Sequence, residues 1–329
     1  MNRVASLSQR ERSELFSETA AIRGMTPAVV EKDFWVTWTL GKLFSEEDLS
    51  SLLMFKGGTS LSKVFHLIER FSEDIDLILD WQVLTGEDPE AERSKSKQQK
   101  LNEDINKKAQ EYINEELFPK IADCIAPVCH CSGVEEDSYA LDIRYPSAFE
   151  NTYLRPEVRL EIGPLASWVP FAEYTIRPYA AEEFPDVFQK PDCNVKAIKA
   201  ERTFWEKATI LHHEAHRPEG SPQPPRYSRH YYDLAKMASA EVKNTAVADI
   251  GLLESVADFK QKFYPRAWAR YDLAKPGTLR LVPSGHVLES LRDDYRAMRD
   301  IIFGEYPEFD DIISELQNLE NEINSVVPD

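Results

Sequence analysis

No apolar run in the 329 residues approaches the ~18 to 20 that a membrane helix requires, so a spanning segment is not expected and the chain reads as soluble. A secretory signal is lacking too. The opening MNRVASLSQRERSE is polar and charged, which points to an intracellular, cytoplasmic protein. Cysteine is scarce. Of four, Cys124, Cys129 and Cys131 form a C-x4-C-x-C cluster and Cys193 stands apart, without the paired C-x2-C units of a zinc finger or ribbon. In a reducing compartment disulfides are also not expected, so a structural or incidental role is the reading for these thiols, with an unrecognised metal or redox site as the alternative. Positive charge is in deficit, with 39 Lys/Arg against 57 Asp/Glu and a net charge of -18, which argues against a general basic coat for nucleic acid.

The deficit is uneven. Residues 190 to 236 hold nine Lys/Arg against six Asp/Glu, together with four of the seven histidines. A local anion site in an acidic body suits a nucleotide or an RNA end better than a long duplex, and a solvated basic helix face is the alternative. Apolar residues at 42% and charged residues at 29% are ordinary for a globular chain of this length, which has room for one large domain or two.

Periodicity predicts helices over 8 to 22 and 26 to 44, the second with Thr26 as N-cap, Pro27 at the first helical position and Val30, Phe34 and Trp38 on one stripe. A short apolar segment at 51 to 56 leads into Gly57-Gly58, and a helical pattern follows from Thr59 to about Arg70. In EDIDLILD the alternation of Ile75, Leu77 and Leu79 with Asp74, Asp76 and Ile78 predicts a strand with one buried face. Residues 83 to 118 are rich in Glu, Lys, Gln and Asn and read as an inserted turn and long solvated helix. Strands are expected at 138 to 145 and 156 to 163, then a helix from about 197, a Pro-rich loop at 217 to 228, and a helix from Arg229. Beyond 240 helices are expected near 251 to 263, 286 to 303 and 308 to 325.

Asp74 and Asp76 stand two apart on a strand, so both carboxylates share a face and can share divalent ions, as two-metal phosphoryl transfer requires. A D-x-D pattern alone is weak, because most such acids are surface or capping residues. The preceding strand and glycine pair strengthen it: backbone N–H groups at Gly57 and Gly58 can cradle a triphosphate, and the hydroxyls of Thr59 and Ser60 can add donors. A Walker-type loop fails, since Ser62 precedes Lys63 where glycine belongs and Val64 follows where a Ser/Thr metal ligand belongs. The HHEAH run at 212 to 216 departs from H-E-x-x-H and reads as a solvated helix end.

FKGGTSLSKVFHLIERFSEDIDLIL resembles the signature of the polymerase-beta-like nucleotidyltransferase superfamily, and in detail the AbiEii/AbiGii toxin family within it. VVEKDFWVTWTL at 29 to 40, VRLEIG, ERTFWEKATIL and RHYYDLAKM are similar to further motifs of that family, so the resemblance spans about residues 25 to 240. It implies Asp74 and Asp76 as metal ligands and Gly57, Gly58, Thr59 and Ser60 as the triphosphate site. It further implies Lys207 as the phosphate-binding lysine, Asp233 as the downstream catalytic acid and Glu161 as a third strand carboxylate. A surface glutamate paired with Arg159 or Arg144 is the alternative for Glu161. His230 departs from the pattern, standing where relatives often carry an acid ahead of Y-x-D.

The fold expected is α+β: a nucleotidyltransferase-type mixed sheet flanked by helices, with a mainly helical C-terminal part. Residues 1 to 240 would form the nucleotidyltransferase domain, with a helical extension at 1 to 45 and the insertion at about 83 to 118, and residues 241 to 329 a helical region. The resemblance implies a toxin of a type IV toxin–antitoxin or phage-defence system, using Mg2+ at a two-metal site and an NTP as substrate. An AbiEi-like antitoxin would be its partner. Toxins of the similar MenT type add nucleotides to tRNA 3′ ends, which makes tRNA the preferred acceptor. A protein or small-molecule acceptor, such as an antibiotic, and a catalytically idle regulatory module are the alternatives.

Overall fold

A computed structural model describes residues 1–72, 74–149 and 156–326. It divides into two compact units. The first comprises Met1–Val64, Phe71–Ala91 and Lys100–Ile198, and the second Phe65–Arg70, Glu92–Gln99 and Lys199–Asp329.

The first unit is built on a seven-stranded sheet: β1 (Leu53–Lys56), β2 (Asp74–Leu79), β3 (His130–Val134), β4 (Asp137–Arg144), β5 (Glu157–Gly163), β6 (Phe171–Ile176) and β7 (Cys193–Ile198). Their order is β3-β4-β5-β2-β1-β7-β6. The β2–β5 and β1–β7 pairs are parallel and the others antiparallel, so the sheet is mixed and the α+β class holds. One face is apolar because alternate residues point to it: Ile75, Leu77, Val158, Leu160 and Ile162 are buried there. The helix Pro27–Ser45 packs against β7. Thr26 caps it by accepting from Val29 N–H, and Pro27 needs no donor at the first position. Phe34, Trp35 and Trp38 are buried, and Trp35 stacks on Tyr145 with ring centroids 5.4 Å apart.

Three sequence expectations are revised in this unit. The helix after the glycine pair runs only from Gly57 to Lys63, not to Arg70. His66 then turns into the left-handed region at φ 53, which a continuing helix does not allow, and Phe65–Arg70 cluster with the second unit. The expected solvated helix is Lys95–Tyr112, and it is amphipathic: Leu101, Ile105 and Ala109 are buried at four-residue steps, continued by Ile113 and Leu117. Each large aliphatic so buried contributes about 2 kcal/mol. β3, β6 and β7 were not expected.

The second unit is helical, with Ala200–Ala215, Ser228–Ala238, Val242–Val247, Ile250–Phe263, Leu288–Ala297 and Phe309–Asn324 as its main elements. The HHEAH run is not a solvated helix end. His212 and Glu214 are fully buried, because the short turns Ala267–Ala269 and Tyr271–Leu273 pack over that end of the helix. His212 accepts from Arg280 N–H at 3.0 Å on Nδ1 and lies 2.9 Å from Arg270 C=O on Nε2, the pattern of a neutral ring. Burial pushes its pKa down to about 4. Glu214 is engaged by His213, Arg217 and Gln223. All four cysteines are free thiols.

Candidate active site

In the first unit the sheet register brings three acids together. Asp76 on β2 is the register partner of Glu161 on β5, and Asp74 is the partner of Arg159. Register partners project to the same face, so Asp74, Asp76 and Glu161 all rise from the face opposite the apolar one. Glu161 is exposed, and Asp74 and Asp76 are half-buried. Arg159 Nε and Nη2 donate to the two carboxylate oxygens of Asp142 at 2.9 and 3.0 Å, across the β4–β5 pair.

Gly57 closes the site on the β1 side. Its φ is +80°, a region that favours glycine, and a Cβ there would run into the Asp76 carboxylate. The carboxylate therefore lies against the Gly57 backbone, at the start of the helix that also carries Gly58. Thr59 and Ser60 lie in the first turn of that helix. Both are buried, Thr59 donates to Asp74 C=O, and Ser60 donates to Gly57 C=O at 2.8 Å. Thr59 thus ties the turn to β2, and Ser60 closes back on the turn itself.

Lys63, the residue that gave the segment its Walker-like appearance, is held inside. Its ammonium pairs with Asp33 at 2.7 Å, donates to Arg177 C=O at 2.8 Å and lies over the Tyr179 ring. Asp33 also accepts from Tyr179 N–H at 2.7 Å. Burial raises the Asp33 pKa, opposed by Lys63. This pair ties the glycine-turn helix to Pro27–Ser45. The D of the VVEKDFW motif thus has a physical reason that sequence spacing did not reveal.

In the second unit Lys207 and Asp233 are brought together, as a buried ion cluster. Asp233 is fully buried and Lys207 is 6% exposed. Lys207 Nζ donates to Asp233 Oδ2 at 2.7 Å, while Arg70 grips the same carboxylate through Nε at 2.6 Å and Nη2 at 2.8 Å. Burial alone would raise the Asp233 pKa, but Arg70 and Lys207 more than reverse this and hold it far below the usual carboxylate range. Lys207 shares its acid with Arg70, and burial with that neighbour lowers its own pKa. His230 Nδ1 lies 3.1 Å from Lys207 Nζ, and its pKa is well below normal through burial and the adjacent Lys207 and Arg229. Arg70 was missed in the sequence although it stands only four residues before Asp74, because its partner is 163 residues away.

Much of the basic stretch at 190 to 236 is spent within the fold. Lys196 donates to Ser50 C=O, and Arg202 pairs with Glu206, Lys207 with Asp233, Arg217 with Glu214 and Lys236 with Glu69.

Among the described residues, no three His, Cys, Asp or Glu side chains enclose an ion by themselves. The strand acids still fit Mg2+ by chemistry: they are hard oxygen donors, and Mg2+ is commonly held by one or two carboxylates and completed by substrate phosphates and water. The gap at Gly57 that a Cβ would fill keeps Asp76 beside the backbone where those phosphates would lie.

The family model of the "Nucleotidyl transferase AbiEii toxin, Type IV TA system" matches residues 38–315, most of the chain. The chain belongs to this family. Membership makes the chain a nucleotidyltransferase, and the family implies an NTP substrate and an antitoxin partner. The chain is also similar to MenT4, a nucleotidyltransferase toxin from Mycobacterium tuberculosis H37Rv, at 16% identity, covering 97% of this chain and 98% of that one with a TM-score of 0.45. It is likewise similar to JHP933 from Helicobacter pylori, at 14% identity, covering 90% and 91% with a TM-score of 0.45. No curated protein matches. Among the described residues, no helix of this AbiEii-family chain is long and apolar enough to cross a membrane.

Proposed function

We propose that this protein is a Mg2+-dependent toxin that transfers a nucleotide from an NTP to the 3′ end of tRNA. The observation that carries the chemistry is the register of Asp76 with Glu161, with Asp74 on the same face and Gly57 against Asp76. In this reading Asp74 and Asp76 hold the metal, and Gly57 and Gly58 offer backbone N–H groups to the triphosphate. Divalent metal ions there, two in the full form of the reading, would neutralise phosphate charge and make the acceptor hydroxyl easier to deprotonate. Glu161 takes up the acceptor's proton. The acceptor oxygen bonds to the α-phosphorus as the bond from that phosphorus to the β-phosphate bridging oxygen breaks, and pyrophosphate leaves.

Lys207 takes the phosphate-binding role that the family resemblance implies, and within the second unit Asp233 acts as a positioning residue that orients Lys207 and Arg70. The choice of tRNA rests on the resemblance to MenT-type toxins and on no residue described above. The test is to incubate the purified protein with Mg2+, each labelled NTP in turn and total tRNA, beside the Asp76→Ala variant. Label in tRNA with the wild type alone is expected. Label appearing only in protein or small molecules would overturn the acceptor, and transfer surviving Asp76→Ala would overturn the site.

A further inference from the structure

The sheet face that bears the acids continues, strand by strand, to an exposed aromatic edge. Asp76 is the register partner of Lys56 on β1. β1 and β7 run parallel with Phe55 opposite Ala197, so Lys56 falls beside Ile198, and Ile198 is the register partner of Phe171 on the edge strand β6. One row of the sheet thus reads Glu161, Asp76, Lys56, Ile198, Phe171. Phe171 is 43% exposed and Val169 60% exposed, unusual for large apolar residues. Thr175 Oγ1 bonds Asn194 Oδ1 on this same face, consistent with its openness.

A second aromatic stands nearer the acids. Trp168 packs on a small cluster of Met54, Ile78, Ala166 and Ile198. Ile78 lies two residues along β2 from Asp76, about 7 Å at the rise of a strand. Trp168 is only half-buried, and its indole N–H, though buried, has no hydrogen-bond partner among the described residues. Buried indole N–H groups normally find an acceptor. A ligand that stacks and accepts would meet both needs, and nucleobases do so.

We propose that Trp168 and Phe171 form the ledge on which the base of the incoming NTP stacks, deepening the reading given under Proposed function, on which it rests. The side of the sheet selects this occupant over the acceptor. The ledge runs from β2 and β1 across β7 to β6, on the side of Asp76 where β1 leads into Gly57-Gly58, whereas Glu161, assigned to the acceptor's hydroxyl, lies on the other side of Asp76. A nucleotide with its phosphates over Gly57 has its base toward Trp168.

Equilibrium binding separates this from the transfer reaction. A non-hydrolysable NTP analogue and inorganic tripolyphosphate, each with Mg2+, are titrated against wild type, Trp168→Ala and Phe171→Ala, with circular dichroism checking the fold. The variants are expected to weaken analogue binding about tenfold, as loss of one base stack does. Tripolyphosphate affinity and the KM for the acceptor should stay unchanged. Because Phe171 is exposed, its variant keeps the test valid if Trp168→Ala unfolds. Unchanged analogue affinity, an equal loss for tripolyphosphate, or a rise in the acceptor KM alone would each overturn the ledge. A wild type that binds the analogue through Trp168 and Phe171 yet transfers nothing would leave the ledge standing and overturn the proposed function instead.

Discussion

Removing the Asp233 carboxylate should cost more in stability than any single surface change, and the cost follows from its surroundings. Asp233 is 0% exposed, with the Arg70 and Lys207 side chains 3% and 8% exposed beside it. Asp233→Ala leaves two buried cations without their acid, a loss of about 3 to 5 kcal/mol. With a urea dependence of about 2 to 3 kcal/mol per molar, the midpoint of the affected transition should fall by roughly 1 to 2 M. The assay is urea unfolding followed by helical circular dichroism, with the triple change Asp233→Leu, Arg70→Met and Lys207→Met as the control. An apolar set of similar volume should restore most of the midpoint while abolishing transfer. Acid adds a second reading. A carboxyl held below its usual range contributes stability that is fully present above its unfolded pKa of about 3.9 and is lost as pH falls through its folded value. The wild type should therefore lose this contribution only below about pH 4, and Asp233→Asn should lack it at every pH. An Asp233→Ala variant that unfolds at the wild-type urea concentration but has lost transfer would refute the positioning role and restore a purely chemical one.

Gly57→Ala should cost about 1 to 2 kcal/mol in stability from its positive φ. The methyl would also push Asp76 aside and lower single-turnover transfer at least about 100-fold. A near-normal rate would remove Asp76 from the chemistry. Glu161→Gln should lower kcat by about 10²-fold or more with little change in the KM for NTP, as for loss of a general base, and a threefold change or less would count against that role. Burial pushes the thiols of Cys129, Cys131 and Cys193 up to about 12, so in the native protein Ellman's reagent should modify Cys124 first and the others only on unfolding. Rapid reaction of two or more native thiols would contradict that burial.

The strands β2, β4 and β5 were legible because alternation marked them, and in β2 and β5 it also showed the side on which Asp74, Asp76 and Glu161 stand. The edge strands β3 and β6 were not, nor was β7 between β1 and β6. β3 is HCSGV with one buried residue, and β6 exposes Phe171, so neither shows a clean two-residue period. The helix Lys95–Tyr112 misled for the opposite reason: three buried aliphatic positions are outnumbered by charged and amide residues, although their four-residue spacing was present. Pairings across the chain were beyond reach. Nothing local to Lys207 indicates Asp233 and Arg70, and nothing local to Lys63 indicates Asp33, because burial of a charge is decided by which distant segment packs against it.

The central claim, nucleotidyl transfer at the strand acids, is tested most directly by the fate of the two ends of the triphosphate. With Mg2+, tRNA and the NTP that supports transfer, label in the α-phosphate should enter RNA, and label in the γ-phosphate should be released as pyrophosphate. Both signals should vanish in Asp74→Asn and Asp76→Asn. Retention of γ-label in the product, or α-label transfer by either variant at the wild-type rate, would contradict the account.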